Sequence, residues 1–293
     1  MPELPEVESL AAFLREHAVG KAVARVDVAA VSALKTYDPP VTALADLTLT
    51  GVARHGKFLD LEFLEPGEGG GLHLVVHLAR AGWLRWRDEL PTTLPRRSPK
   101  NPIALRLRLN DGSGFDLTEA GTKKGLAAYV VRDPSDVPHV ADLGIDPLSE
   151  EFTPEALYAL TKDSRTRIKG LLRDQKIIAG IGNAYSDEVL HAAKMSPYKI
   201  ASTLTEEEAG QLHAVIVGTL RDAVERSRGL AAGDLKSEKK TGLRVHGKAG
   251  QPCPVCGDTI REVSFADSAF QYCPTCQTGG KPLADRRLSR LLR

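Results

Sequence analysis

The chain is poor in sulfur and in aromatic side chains: its 293 residues include four cysteines, two methionines and two tryptophans, and aromatics make up 5% of the total. All four cysteines fall between positions 253 and 276, so no disulfide framework can hold the first 252 residues together. Long apolar runs are also missing. Nothing approaches the roughly 20 residues that span a bilayer, and the opening residues are acidic, unlike a secretory leader. We therefore expect a cytoplasmic protein with no membrane association. A large charge excess is absent as well, because the net charge is only +1. That excludes a chain coated in basic residues but permits a local patch. Residues 230–293 carry 11 Lys and Arg against 6 Asp and Glu, and residues 1–229 carry 28 against 32. The length calls for two or three domains rather than one core.

What is present begins at once, with MPELPEVE. If Met1 is removed, Pro2 becomes a secondary α-amine with a pKa of about 8, so a useful fraction is unprotonated near neutrality. Glu3 follows it directly. An amine beside a carboxylic acid is the minimum kit for Schiff-base chemistry on a masked aldehyde, the amine attacking carbon while the acid protonates an oxygen. The same residues also read as a helix start, with proline in the first turn and acids against the dipole. Val7, Leu10 and Leu14 form an inward stripe, and Gly20 stops the helix.

The cysteines form two C-x-x-C pairs, Cys253 with Cys256 and Cys273 with Cys276. This spacing fits a zinc ribbon, in which two knuckles bring four thiolates into a tetrahedron. Two disulfides are the alternative, disfavoured by a cytosolic compartment and by the two-residue spacings. A site filled by four thiolates has no open position, so the zinc is expected to be structural.

Between these ends the pattern changes once. Leu59, Leu61 and Phe63 alternate with Asp60 and Glu62; Leu72, Leu74, Val76 and Leu78 are spaced by two; Leu105, Leu107 and Leu109 alternate with Arg106 and Arg108. Short period-two strands with glycine-rich turns predict a β-sandwich after the first helix. The proline-dense residues 91–102 read as an exposed loop whose Arg96, Arg97 and Lys100 could touch phosphate. Prolines at 134, 138 and 147 mark a linker. Helices then dominate: Thr153 is an N-cap before Pro154, Thr205 with Glu208 makes a capping box, and Leu212, Ile216, Leu220 and Val224 share a helical face until Gly229. Within the helical part, IKGLLRDQKIIAGIGNAYSDEVLHAAK joins two helical segments through glycines that let backbone approach a ligand, while the next helix aims its amides at it. A phosphate suits such an element, although a tight helix-helix turn needs the same glycines.

MPELPEVE, the IGNAYSDE stretch and the run LRVHGKAGQPCPVCG closed by FQYCPTCQ together resemble the formamidopyrimidine-DNA glycosylase and endonuclease VIII family. The similarity extends from Met1 to about Gln277. It implies a multidomain α+β chain: an N-terminal β-sandwich with an N-terminal helix (1–133), a linker (134–150), a helix-two-turns-helix domain (151–245) and a zinc ribbon with a basic tail (246–293). It further implies a base-excision repair DNA glycosylase with AP lyase activity acting on double-stranded DNA that contains a damaged base or abasic site, as a monomer, with one structural zinc. In such enzymes the residue matching Pro2 is the nucleophile and that matching Glu3 the acid/base; Glu6 would orient them, and Lys57 in RHGKFL and Asn183 would grip phosphate.

The departures from the family fall on residues that touch DNA. HLARAG puts Arg80 where relatives active on 8-oxoguanine carry a wedge methionine. EAGTKKGLA offers Lys123 and Lys124 where an Arg-Phe pair completes that wedge, and Ser268 stands for a phosphate-gripping arginine on the ribbon hairpin. Exchanging apolar wedges for cations trades stacking for phosphate or base-edge contacts. Residues 229–243 are also shorter than the family's lesion-capping lid. A non-catalytic reader of damaged or abasic DNA on the same scaffold is the alternative reading, against which the intact Pro2, Glu3 and Lys57 argue.

Overall fold

A computed structural model describes residues 1–65, 71–95, 102–264 and 269–284. The chain packs as two compact units: Met1–Asp142 with Val224–Glu238, and Leu143–Ala223 with Lys239–Arg293.

The first unit opens with helix α1 (Leu4–His17) and continues through β1 (Val23–Val28), β2 (Thr48–His55), β3 (Phe58–Leu64), β4 (Leu72–His77), β5 (Gly82–Arg87), β6 (Ile103–Leu109), β7 (Gly114–Glu119) and β8 (Ala127–Val131). The strands form two antiparallel four-stranded sheets, ordered β1-β6-β7-β5 and β2-β3-β4-β8. Alternation decides what faces inward. Leu59, Leu61 and Phe63 of β3, Leu74 and Val76 of β4 and Leu105 and Leu107 of β6 join one apolar core with Val7, Leu10 and Leu14 of α1. The helix stripe and the strand alternation read from the sequence therefore close on the same interior.

The polar side of the strands departs from a simple solvated face. Asp60 is buried, accepting from His55 Nε2 at 3.0 Å and His73 Nδ1 at 2.9 Å. Arg106 is buried too, paired in bidentate fashion with Asp116 at 2.7 and 2.9 Å. Its remaining nitrogen donates to the carbonyls of Pro91 and Thr93, and Arg108 also donates to Pro91, so the proline-dense loop is pinned where it leaves the sheet. A buried charge is tolerable only when its hydrogen bonds are met in this way. Arg96, Arg97 and Lys100 lie outside the described residues.

The second unit contains α2 (Pro154–Thr161), α3 (Ile168–Arg173) and α4 (Asn183–Ala192). The long α5 (Glu206–Ser227) and α6 (Leu235–Gly242) follow, then the hairpin β9 (Arg261–Ser264) and β10 (Ala269–Tyr272) and the short α7 (Pro274–Thr278). The helix starts are those the sequence marks. Thr153 Oγ1 accepts from Ala156 N–H at 3.1 Å, and Thr205 and Glu208 exchange hydrogen bonds of 3.0 and 3.1 Å. Each satisfies amides that the first helical turn leaves unpaired. Among the described residues no helix is long and apolar enough to cross a membrane.

Candidate functional site

Helix α1 carries the proposed chemistry at its N-terminus and its anchor along one side. Val7, Leu10 and Leu14 are fully buried. On the opposite side Glu8 accepts from Arg15 at 3.1 Å and from Arg54 of β2 at 2.9 Å. Pro2 is buried and Met1 remains at the surface ahead of it. Glu3 is the N-cap, only 2% exposed; Glu6 Oε2 takes the Glu3 N–H at 2.8 Å in the reciprocal arrangement of a capping box. The box satisfies amides that the first helical turn leaves unpaired and fixes the Glu3 backbone.

Lys57 sits in the tight β2–β3 turn behind Gly56, whose φ of 55° is a left-handed conformation that glycine adopts without strain. It is nearly buried. Burial first, then the Lys57 charge and His139, lower the pKa of His77 to about 4, so the imidazole beside Lys57 is neutral at pH 7. The His77 ring packs on Phe58 with centroids 4.8 Å apart.

The loops bearing Arg80 and Lys123–Lys124 meet. Arg80 is exposed at the tip of the β4–β5 turn, which Gly82 closes with its N–H on Leu78 O at 2.8 Å. A Cβ on Gly82 would lie 2.1 Å from that carbonyl, so the turn admits only glycine. The loop after β7 is held by buried Glu119, which accepts from Gly125 and Leu126 N–H at 2.6 and 2.8 Å, while Lys124 Nζ donates to Glu119 O at 2.7 Å. Gly125 abuts Ala79, and Ala120 N–H reaches Ala81 O at 3.3 Å. Lys123 and Lys124 are exposed, and their loop packs against the one bearing Arg80.

Residues 229–238, within the segment read as a shortened lid, are fastened to the sandwich. Trp83 N–H donates to Ala232 O at 2.8 Å, Ala232 and Leu235 enter the main core, and Lys236 Nζ lies 4.6 Å above the Trp83 ring. Burial, with a lesser effect from Arg85, lowers the Lys236 pKa. Nothing in the spacing of the sequence pointed to Trp83 as the anchor.

In the second unit, Gln175 clamps the glycine turn. Its Oε1 accepts from Gly180 N–H at 2.9 Å and its Nε2 donates to Ile181 O at 2.7 Å. Asn183 then opens α4, and its Nδ2 donates to Ala269 O of the ribbon hairpin at 2.6 Å, leaving a buried Oδ1 without a hydrogen-bond partner. Behind it, Lys169 Nζ meets Ser186 Oγ at 2.6 Å and Asp187 Oδ1 at 2.5 Å, and the other Asp187 oxygen accepts from His246 Nδ1 and Gln271 N–H. Glu188 accepts three consecutive amides, those of Arg244, Val245 and His246, at 2.8 to 2.9 Å. Asp187 and Glu188 stand adjacent in the sequence, but apart from Lys169 the partners named for them lie over fifty residues on, where no local pattern could reveal them.

The four cysteine sulfurs lie within 4.8 Å of one another. Cys253–Cys276 and Cys256–Cys273 are 3.9 and 3.4 Å apart, close to the roughly 3.8 Å edge of a tetrahedron built on Zn–S bonds of about 2.3 Å. The donor set and its spacing fit zinc, with no position left open. Without a cation, burial pushes the Cys273 thiol up to about 11 and raises Cys276 as well, so metal binding must displace these protons. His191 of α4 points Nε2 at Cys253 Sγ from 3.2 Å, and its buried Nδ1 has no partner. Sequence reasoning missed this contact. Ser268 lies outside the described residues.

Three family models match in succession: the formamidopyrimidine-DNA glycosylase N-terminal domain over residues 1–123, its H2TH domain over 143–232, and the zinc finger found in FPG and IleRS over 250–279. A formamidopyrimidine-DNA glycosylase of Desulforamulus reducens is 32% identical over 288 residues, covering 94% of this chain and 99% of that protein. This chain belongs to the formamidopyrimidine-DNA glycosylase family. A formamidopyrimidine-DNA glycosylase-like protein of Mycobacterium tuberculosis is 56% identical over 156 residues, 53% of this chain and 98% of that protein. Among solved structures, the Lactococcus lactis family member in complex with DNA containing an oxidized pyrimidine matches with a TM-score of 0.80 at 28% identity, covering 94% of this chain and 100% of that one. The family's zinc-finger match and the four converging cysteines identify the ribbon as a structural zinc site.

Proposed function

We propose that this protein is a bifunctional base-excision enzyme: a DNA glycosylase that removes oxidised or ring-opened bases from double-stranded DNA and an AP lyase that cuts the strand afterwards. The observation that carries the reading is the start of α1, where Pro2 adjoins a buried Glu3 whose backbone is locked by Glu6. A purely structural helix start has no need of two carboxyl groups taken out of water, which is costly unless their hydrogen bonds are met.

In the proposed reaction the damaged nucleotide leaves the stack, because its sugar carbon cannot be reached inside the duplex. With Met1 removed, the Pro2 nitrogen lone pair forms a bond to the anomeric carbon as the glycosidic bond breaks, its electrons leaving with the base, which takes up the proton the nitrogen sheds. Glu3 gives a proton to the ring oxygen, the sugar opens, and the nitrogen and carbon are left as an iminium. That cation acidifies the neighbouring carbon, so loss of its proton expels the 3′ phosphate by β-elimination; a second elimination releases the 5′ phosphate. Lys57 and Asn183 hold backbone phosphates, and Arg80, Lys123 and Lys124 act on the duplex around the lesion. The hairpin beyond the zinc site, with Ser268 near its tip in sequence, follows the strand. The protein acts as a monomer in the cytoplasm.

Oxidised pyrimidines, ring-opened purines and abasic sites should be better substrates than 8-oxoguanine opposite cytosine. The reasons are the cationic loops in place of apolar wedges and the replacement of a lid by a segment fastened through Trp83. The experiment is a competition among defined duplexes with Met1-free protein. Preferential cutting at oxidised pyrimidine or abasic sites is expected, and preferential excision of 8-oxoguanine contradicts the substrate reading. Tight binding of abasic DNA with no cutting of any duplex favours the non-catalytic reader.

A further inference from the structure

The ribbon hairpin is two strands of four residues, and an isolated pair of that size is marginal in water. The backbone of β10 is tied to α4, Asn183 Nδ2 donating to Ala269 O and Asp187 accepting from Gln271 N–H. One face of the hairpin presents Val263, Phe270 and Tyr272, all buried, with Lys169 Nζ 5.3 Å over the Phe270 ring; its apolar cover comes from Tyr198 and from Leu283 on the chain beyond the last zinc ligand. That C-terminal piece is held at several points. Thr278 Oγ1 donates to Lys281 O at 2.5 Å, Leu283 N–H donates to Tyr272 Oη at 2.8 Å, and Tyr198 Oη donates to Ala284 O at 3.0 Å. Tyr198 is fixed in turn by the Arg167 guanidinium, 3.7 Å over its ring, and by the edge of Phe270 at 5.9 Å. Two tyrosine hydroxyls from different elements thus pin consecutive residues of a segment that carries no zinc ligand.

We propose that residues 281–284 are a latch that clamps the β9–β10 hairpin in its DNA-engaging position and so sets affinity for the duplex. The residues act by positioning and touch no reacting atom. The inference rests on the DNA-binding reading above, and it is distinct from a charge effect of the basic residues that follow, Arg286, Arg287, Arg290 and Arg293. Without the latch, the apolar face loses Leu283 and the Tyr272 hydroxyl loses its partner, so the hairpin samples other positions before binding. Ordering it on the duplex then subtracts from affinity.

The test compares the full chain with three variants: truncation after Gly280, truncation after Ala284, and Leu283→Asp. Each is measured for zinc content, for amide exchange at Phe270, Gln271 and Tyr272, and for affinity toward a duplex carrying a reduced abasic-site analogue at fixed salt. Loss of the latch, by truncation after Gly280 or by Leu283→Asp, should speed exchange at these amides about tenfold and weaken binding about fivefold. Zinc content and the single-turnover rate at saturating DNA should stay as in the full chain. Truncation after Ala284, which removes the arginines but keeps the latch, should leave exchange unchanged. Equal behaviour of the two truncations in exchange overturns the proposal, whether both are unaffected or both loosened. Should the first truncation and Leu283→Asp shed zinc, Tyr272→Phe decides, since it removes only the hydroxyl that accepts Leu283 N–H; unchanged exchange in that variant overturns the latch. Failure of the unmodified protein to bind the duplex would sink the DNA-binding reading, and exchange would still judge the clamp.

Discussion

In the sandwich unit, residues from α1 and from both sheets fill one interior in which Leu59, Leu61, Phe63, Leu74 and Leu117 have no exposure at all. Among the described residues the apolar clusters of the zinc ribbon are small: Val263, Phe270 and Tyr272 on its hairpin, and Val245 and Ile260 beside the cysteines. The first unit is held by burial, worth roughly 1.5–3 kcal/mol for each large apolar side chain. The zinc ribbon relies on directed bonds: four cysteine sulfurs, the Asp187 and Glu188 carboxylates that bind it from α4, and two tyrosine hydroxyls. Apolar burial is tolerant of small changes, whereas a buried polar link fails when one partner is removed, because the other is left unmet. The residues proposed for covalent chemistry sit on the tolerant unit. Most of the residues proposed to read DNA sit on the brittle one or on loops.

The largest effect that sharpens this contrast is expected from Glu3→Gln. The amide retains an acceptor for the helix cap but cannot supply the proton, so the excision rate should fall about 10²- to 10⁴-fold while thermal denaturation moves little. A large loss of stability together with activity would make Glu3 a structural residue. Next comes Glu188→Ala, which takes the acceptor from three consecutive amides, that of buried Val245 among them. We expect it to destabilise the second unit by about 3 kcal/mol or more and to leave the melting of the sandwich unchanged, as read by calorimetry. A single shared loss in both units would break the comparison.

The sandwich has its own weak point in His77. Its folded pKa of about 4 lies below the ordinary 6.5, so the unfolded chain takes up a proton first as pH falls. The stabilisation is complete above about 6.5 and declines as the pH drops to about 4, below which it is constant. The loss is at most about 3 kcal/mol. Urea denaturation at both ends of that window, with His77→Gln as reference, should show the substitution flattening the pH dependence; identical slopes would refute the assignment. Smallest is His191→Phe, which removes the ring nitrogen directed at Cys253. Zinc transfer to a competing chelator should then accelerate by roughly tenfold, and an unchanged rate would make His191 mere filling.

Much of this architecture is legible before folding. The stripe Val7, Leu10 and Leu14, the alternation through Leu59 to Phe63, the Thr153 and Thr205 caps and the cysteine spacing all report contacts made within a few residues, and periodicity records such contacts. The illegible part is long-range and polar. Asp60 and Arg106 occupy positions that alternation assigns to solvent, yet both are buried because His55, His73 and the 91–95 carbonyls come to meet them. Likewise nothing near Trp83, Glu188 or Leu283 announces Ala232, the amides of 244–246 or Tyr272 as partners. A side chain's spacing reveals its face, and only the fold reveals its partner.

The central claim is that Pro2 forms the covalent bond to the sugar. Protein shown by mass to lack Met1 would be incubated with abasic-site DNA and borohydride, digested, and the cross-linked peptide sequenced by mass spectrometry. The account predicts one adduct, on the nitrogen of Pro2, in the peptide that begins PELPEVE. An adduct on Lys57 or any other lysine, or no adduct from protein that binds the same duplex, would contradict it.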